Sequence, residues 1–397
     1  MKSMQKTIEN LKKMKQLNII KLAFLLIPVL LIQACSAPDH GYLVYVGTYT
    51  GNGSDGIYAY RFNPAKGELN SIGLVAKTDN PSFIAIDSAG QFLYAVNELD
   101  LFQNGPAGAI SVFSINKESG QLKFLQQTSS LGAAPAHLSL DRSGRYLLVA
   151  NYNGGNVAVF PIGSDGLLGR HTSLIQDSGS SVNPGRQAGP HAHFIHATND
   201  NKFVLTADLG IDKVLIHHFD ANTGLLTPAD SGYVKLEPGS GPRHIAFSPS
   251  GKFIYVLNEL TSTITTFLYE AETGKMQMKM TLSTLPKNFA GNNSAAEIVV
   301  DTKGKFLYVS NRGDNTIAHF SVNSDDGSLK PVEWISSGGK TPRNFEIDPT
   351  GQWLFAANQG SDNITLFRID KVTGRLNQIS DSTKLNSPVC IRFLKLD

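Results

Sequence analysis

The stretch PRHIAFSPSGKFIYVLNE, Pro242 to Glu259, decides the fold because the chain repeats it. PSFIAIDSAGQFLYAVNE from Pro81, PAHLSLDRSGRYLLVANY from Pro135, AAEIVVDTKGKFLYVSNR from Ala295 and PRNFEIDPTGQWLFAANQ from Pro342 are copies, and PHAHFIHATNDNKFVLTADL from Pro190 is a looser one. Each copy has a short alternating run, a tight turn, and a second run that opens on an aromatic residue. The turn carries Gly90, Gly144, Gly251, Gly304 or Gly351, and Asn201 in the loose copy; glycine, and next asparagine, suit a position that needs positive φ. Two residues further on stand Phe92, Tyr146, Phe203, Phe253, Phe306 and Trp353.

A second mark closes each unit: Gly, any residue, then Leu or Met, at Gly67, Gly120, Gly166, Gly224, Gly274, Gly327 and Gly374. These glycines lie 53, 46, 58, 50, 53 and 47 residues apart, so the chain holds seven units. Four short strands in a unit of about 50 residues is the arithmetic of a β-propeller blade. Period-2 alternation and glycine-rich turns agree with it, and no stretch keeps a helical period. The opening GYLVYVGTYTGNGSDGIYAYRFNPAKGEL from Gly41 lacks a leading strand, and SPVCIRFL from Ser387 is a leading strand with nothing after it. Together they make one blade. The expected fold is therefore all-β, a seven-bladed β-propeller over residues 41–397 as a single domain, closed by pairing of the C-terminal strand with the N-terminal blade. Closure removes the free sheet edges that invite aggregation.

With 397 residues, 41% hydrophobic and 17% charged, the chain can bury a large core. A net charge of +2 gives no clustered basic face for nucleic acid. Lysines from Lys2 to Lys21 precede LAFLLIPVLLI, Leu22 to Ile32, an apolar run of 11 residues. That is shorter than the roughly 20 residues of a spanning helix, and it fits a signal peptide. The run ends in IQAC, Ile32 to Cys35, which resembles a bacterial lipobox. The resemblance implies a signal peptide over residues 1–34, lipidation of Cys35, a short tether over 35–40, and an exported protein held to a bacterial membrane only through that lipid. Cys390 is the one other cysteine, so a lipidated Cys35 leaves no intramolecular disulfide.

In a propeller the leading strand of each blade lines the central channel, so residues just after each leading proline gather into one ring. That column reads Ser82 and Phe83, Ala136 and His137, His191 and His193, Arg243 and His244, Glu297, Arg343 and Asn344, Val389 and Cys390. Four of the seven blades place His or Arg there. The end of the next strand gives a second column: Asn97-Glu98, Asn151-Tyr152, Asp208-Leu209, Asn258-Glu259, Asn311-Arg312 and Asn358-Gln359. Asn and Asp commonly hold turns by bonding nearby backbone, whereas the residue after them varies in charge as a site would. A cationic lining of His191, His193, Arg243, Arg312 and Arg343 calls for an anionic ligand, since like charges held close cost free energy. His137 and His244 join that ring as candidate binding residues. Arg186, on the long loop DSGSSVNPGRQAG, is either solvated or folded over the mouth.

At this point the chain resembles a known family. VGTYT (Val46–Thr50), RQAGPHAH (Arg186–His193), ADLGIDKV (Ala207–Val214), GPRHIAFSPSGKFIYVLNE (Gly241–Glu259) and PRNFEIDPTG (Pro342–Gly351) are similar to the propeller-type 6-phosphogluconolactonases, a family that includes the fungal enzyme cyclising carboxymuconate to its lactone. The resemblance spans nearly all of the chain after the signal. It implies a lactone hydrolase acting on a small-molecule lactone or anionic sugar in the channel mouth, with no cofactor. It also implies catalytic roles for one of His191 and His193, for Arg243 and for Glu259. Glu259 beside Arg243, or a neutral histidine, would activate water; arginine forks would grip the acid or phosphate end; Arg243 or a histidine would hold the oxyanion. Against an intracellular phosphosugar as substrate stands the export signal. Two other readings remain open on residues alone. One is a non-catalytic exported propeller that binds a protein or glycan. The other is a metal-dependent lactonase using Glu98, Glu259, Glu297 and Asn151, which the arginines oppose.

Overall fold

A computed structural model describes residues 41–379 and 382–396. Seven antiparallel sheets, each built on four strands, make up the described chain. The innermost strands are Ile84–Ile86, Pro135–Leu140, Ala192–Ala197, Pro242–Phe247, Ala295–Val300, Pro342–Ile347 and Pro388–Lys395. The last of these closes the ring: Pro388–Lys395 pairs antiparallel with Tyr42–Thr48, Lys395 opposite Tyr42 and Cys390 opposite Gly47. The fold expected from the repeats is the fold observed. A short strand at Thr383–Lys384 adds a fifth member to the sixth sheet, and one 3-10 turn spans Gln359–Ser361. The proposed signal peptide, Cys35 and tether lie outside the described residues.

Burial falls from the channel outward, and the sequence of each strand follows it. The second strand Phe253–Asn258, FIYVLN, is buried at every position, because both faces of a blade pack on neighbouring blades and only continuous apolar sequence fits. The outermost strand Lys275–Ser283, KMQMKMTLS, is largely exposed.

The two repeated marks meet each other across blades. The aromatic that opens one blade's second strand packs on the closing glycine of the next: an added Cβ on Gly327 (φ 74°) would lie 2.5 Å from Phe253 Cδ1. Phe203 stands in the same relation to Gly274, and Phe306 to Gly374. In the closing blade Leu43 takes the aromatic's place against Gly120. Tyrosines of the second strands add a tie to the same glycines, as Tyr255 Oη donates to the Gly327 carbonyl at 3.2 Å and Tyr308 Oη to that of Gly374 at 2.6 Å.

The asparagine column is structural. Asn151 Nδ2 donates to the Ser130 carbonyl at 2.9 Å, Asn311 Nδ2 to Thr284 at 2.9 Å and Asn358 Nδ2 to Ser337 at 3.0 Å. Each side chain thereby ties the end of a second strand to a more peripheral segment and frees the following residue to face the mouth.

Candidate active site

A β-bulge lies near the start of several inner strands. Pro242 pairs with Asn258 while His244 already pairs with Leu257, and the same slip separates Pro135 from His137, Ala192 from Phe194 and Pro342 from Asn344. Two residues oppose one at such a bulge, which re-aims the side chains around it. Strict alternation would send Arg243 and His244 to opposite faces. With the bulge, both reach the channel, one above the other, and two rings result.

The upper ring surrounds a cavity of about 200 Å3 lined by Tyr49, Glu98, Ala136, Tyr152, Arg186, His193, Arg243, Glu259, Arg312 and Arg343. Glu259 is its hub. Its carboxylate accepts from Arg243 Nη1 at 2.8 Å and Arg186 Nη2 at 2.8 Å, and lies 3.0 Å from Arg312 Nη2. Burial alone would favour the protonated acid; Arg312, Arg243 and Arg186 overcome that and hold Glu259 well below the usual carboxylate range. Such a carboxylate anchors guanidiniums and is poorly suited to take a proton. Arg243, 3% exposed, also donates Nε–H to the Ala296 carbonyl at 2.9 Å and contacts His193 Nε2 through Nη1. Arginine is only a donor, so His193 accepts at Nε2 and carries its proton on Nδ1. Burial, then Arg243, His244 and Arg343, lower the His193 value well below 6.5, and the ring is neutral.

Across the cavity Arg343 lies over the Tyr49 ring, 5.1 Å from its centroid, and 3.9 Å from Glu98. Tyr49 Oη donates to Glu98 Oε2 at 2.7 Å. Arg186 is not free in solvent. Its loop is pinned by Ser181 Oγ donating to Asp212 at 2.5 Å and Gln187 Nε2 donating to Asp212 at 2.8 Å, and the guanidinium reaches over the mouth to Tyr152 Oη at 3.1 Å.

The lower ring is tighter. His244 Nδ1 is 2.8 Å from Glu297 Oε1, and Asn344 Nδ2 donates to Glu297 Oε2 at 2.5 Å. His137 packs between Phe83 (centroids 4.2 Å) and Phe194 (4.4 Å), below the cavity rather than in its wall. His191 stacks on Tyr152 at 4.4 Å and bonds its carbonyl through Nδ1 at 3.0 Å; it supports the wall from outside. Thus the strand register places His193, not His191, level with Arg243 and Arg343.

Tyr49 and Tyr152 complete the cavity, although neither stands out in the sequence as a site residue. Tyr49 was findable: Tyr45 in the closing blade is placed like Tyr94, each donating to a closing glycine's carbonyl, so Tyr49 falls in the column of Glu98. Of the carboxylates the sequence offered to a metal, Glu98 is bonded to Tyr49, Glu259 to the arginines and Glu297 to His244 and Asn344. A larger open cleft of about 540 Å3, lined by residues such as Asp55, Lys77 and Gln127, gathers neither Arg nor His.

A ring of cations and carboxylates in the mouth of a seven-bladed propeller makes a cavity of small-molecule size. The family profile described as "Lactonase, 7-bladed beta-propeller" matches residues 43–393, and the chain belongs to that family. It is 37% identical over 353 residues to the 6-phosphogluconolactonase of Bacillus subtilis (strain 168), covering 89% of this chain and 98% of that one. It is 34% identical over 310 residues to the 6-phosphogluconolactonase of Formosa agariphila, covering 76% of this chain and 85% of the other. The solved structure of a periplasmic gluconolactonase from Pseudomonas aeruginosa superposes with a TM-score of 0.84 at 34% identity, over 90% of this chain and all of that one.

Proposed function

We propose that this protein hydrolyses a sugar lactone carrying an anionic group, opening it to the aldonic acid in the channel mouth. The observation that carries this is the charge of the lining. Four guanidiniums face two carboxylates, Glu98 and Glu259, around a cavity of about 200 Å3, which leaves the walls net positive and the space right for one monosaccharide. Arg312 and Arg343, from neighbouring blades, serve as forks for phosphate or carboxylate. Arg243, fixed by Glu259 and the Ala296 carbonyl, presents a donor already oriented for the oxyanion that forms when the lactone carbonyl is attacked. Arg186 closes the entrance. The relatives named as lactonases support the same chemistry.

The site is exported, by the signal run and by likeness to a relative described as periplasmic, and Cys35 carries the lipid that holds it to the membrane. Cys35→Ala should then move the protein from the membrane to the soluble fraction. The test of function is hydrolysis of 6-phosphogluconolactone and of unphosphorylated gluconolactone, with Arg243→Ala beside the wild type. Activity lost in the variant assigns the chemistry to the mouth, and the preferred lactone reveals whether phosphate is read. No hydrolysis above the spontaneous rate would leave a propeller that binds a protein or glycan.

A further inference from the structure

Beneath the cavity, and sharing Ala136, His193, Arg243 and Arg343 with it, lies a pocket of about 10 Å3. That is the space of about one water molecule. Its walls include Ser82, His244 and Glu297. Three polar atoms on those walls are buried and have no partner among the described residues: Ser82 Oγ, His193 Nδ1 and His244 Nε2. Buried polar groups are ordinarily satisfied, by ordered water where protein does not reach them. The pocket is therefore built to hold water at the floor of the substrate site.

The protonation of His244 follows from its partner. Glu297 accepts from Asn344 Nδ2 at 2.5 Å and from the Ile298 amide at 3.1 Å, and against its burial His244, Arg392 and the Ile298 amide hold its carboxyl below the usual range, so it accepts at Oε1. His244 carries its proton on Nδ1 for that bond and leaves a lone pair on Nε2. This is the arrangement in which a carboxylate fixes the tautomer of an imidazole base and steadies the imidazolium it becomes. The other polar groups of the site are otherwise committed. Glu259 is saturated by arginines, and His193 offers a proton rather than a lone pair. Glu98 sits with Tyr49 on the Arg343 side.

Resting on the lactonase reading above, we propose that the His244–Glu297–Asn344 triad is the general base of the reaction, His244 Nε2 taking a proton from water held in the lower pocket and Glu297 and Asn344 positioning it. The water oxygen bonds to the lactone carbonyl carbon as its proton passes to Nε2. The tetrahedral intermediate then collapses, the bond from that carbon to the ring oxygen breaks, and the imidazolium returns the proton to the departing oxygen. One water is consumed and one carboxylic acid forms, which ionises. The lower ring does the proton transfer and the upper ring binds.

The test uses the full chain. His244→Gln should lower kcat by about 10²-fold or more with KM changed by less than about threefold, and with the melting temperature and the affinity for the product 6-phosphogluconate retained. Glu297→Gln keeps the shape and removes the charge; kcat should fall at least about tenfold, and the acid limb of the kcat–pH profile should move. That limb belongs in wild type to His244 in the field of Glu297, Arg243, Arg343, His193 and His137, and it should vanish in His244→Gln. A folded His244→Gln that keeps more than about a fifth of wild-type kcat overturns the assignment. So does a folded Glu297→Gln with the wild-type profile, or a Glu98→Gln or Glu259→Gln that loses kcat at constant KM while His244→Gln does not. Wild type that binds 6-phosphogluconate and hydrolyses no lactone removes the base and keeps an acid-binding site. Wild type that does neither removes the lactonase reading itself.

Discussion

The faces between blades and the mouth of the channel are made by the same strands under opposite rules. Between blades the contact is periodic: an aromatic from one unit fills the space over a positive-φ glycine of the next, at Gly274, Gly327 and Gly374 alike. At the mouth no two blades contribute the same set. The position after the column of structural Asn is Glu98, Tyr152, Glu259 or Arg312 as the ring is followed round. Repetition suits a task each blade performs identically, which is to bury apolar surface on its neighbour. A ligand without sevenfold symmetry needs the repeat broken. In this protein the periodic positions build the faces between blades and the aperiodic ones line the mouth, where we propose the chemistry takes place.

That division predicts variants that fail in only one of the two ways. The largest effect should be Arg243→Ala, which removes the proposed oxyanion donor and one of the Glu259 partners; kcat/KM should fall by about 10³-fold, or ~4 kcal/mol of transition-state stabilisation, in protein whose circular dichroism is unchanged at 25 °C. Gly327→Ala should do the reverse. It drives a methyl into Phe253 at φ 74° and should cost about 2–4 kcal/mol of stability in urea unfolding, with kcat of the folded fraction intact. Equal loss of activity in both variants would erase the division.

A third variant probes the channel below the site. Burial, opposed by Arg392 and aided by Glu297, raises the Glu346 carboxyl from 4.5 to about 7. The folded protein then holds a proton that the unfolded chain releases, so stability should fall as pH rises from about 4.5 to about 7, with a slope of at most ~1.4 kcal/mol per pH unit. Glu346→Gln should remove that contribution; an unchanged slope in urea titrations across the window would show that Arg392 keeps the acid ionised. The smallest effect should come from Arg186→Ala. Its side chain is 40% exposed, so losing its contact should raise KM about fivefold, near 1 kcal/mol, and weaken the dependence of KM on salt.

The repeats made the fold legible because a blade face is the same problem solved seven times, and the incomplete ends at Gly41 and Ser387 announced the closure. The site was legible by column and not by height. Arg243, Arg312, Arg343 and Glu259 could be gathered from their positions in the unit, but alternation cannot foresee the bulge between Pro242 and His244. It is the bulge that stacks His244 beneath Arg243 and chooses His193 over His191. Tyr49 escaped because the closing blade is split between the two ends of the chain and has Thr48 where the column has asparagine. Glu259 looked like a base in the sequence because the convergence of Arg186, a loop residue 73 positions away, cannot be read from spacing.

The closing blade also sets a clock. Tyr42–Thr48 is made before every other described strand, yet its inner partner Pro388–Lys395 is made after all of them. Until that strand arrives, the first-made strand waits with one edge unpaired, open to other chains. Contacts between residues this far apart in sequence also form slowly. The ring is therefore completed only once every other blade has been made, and a chain that stops short of Pro388 would lack the inner strand of the closing blade and any means of locking the circle.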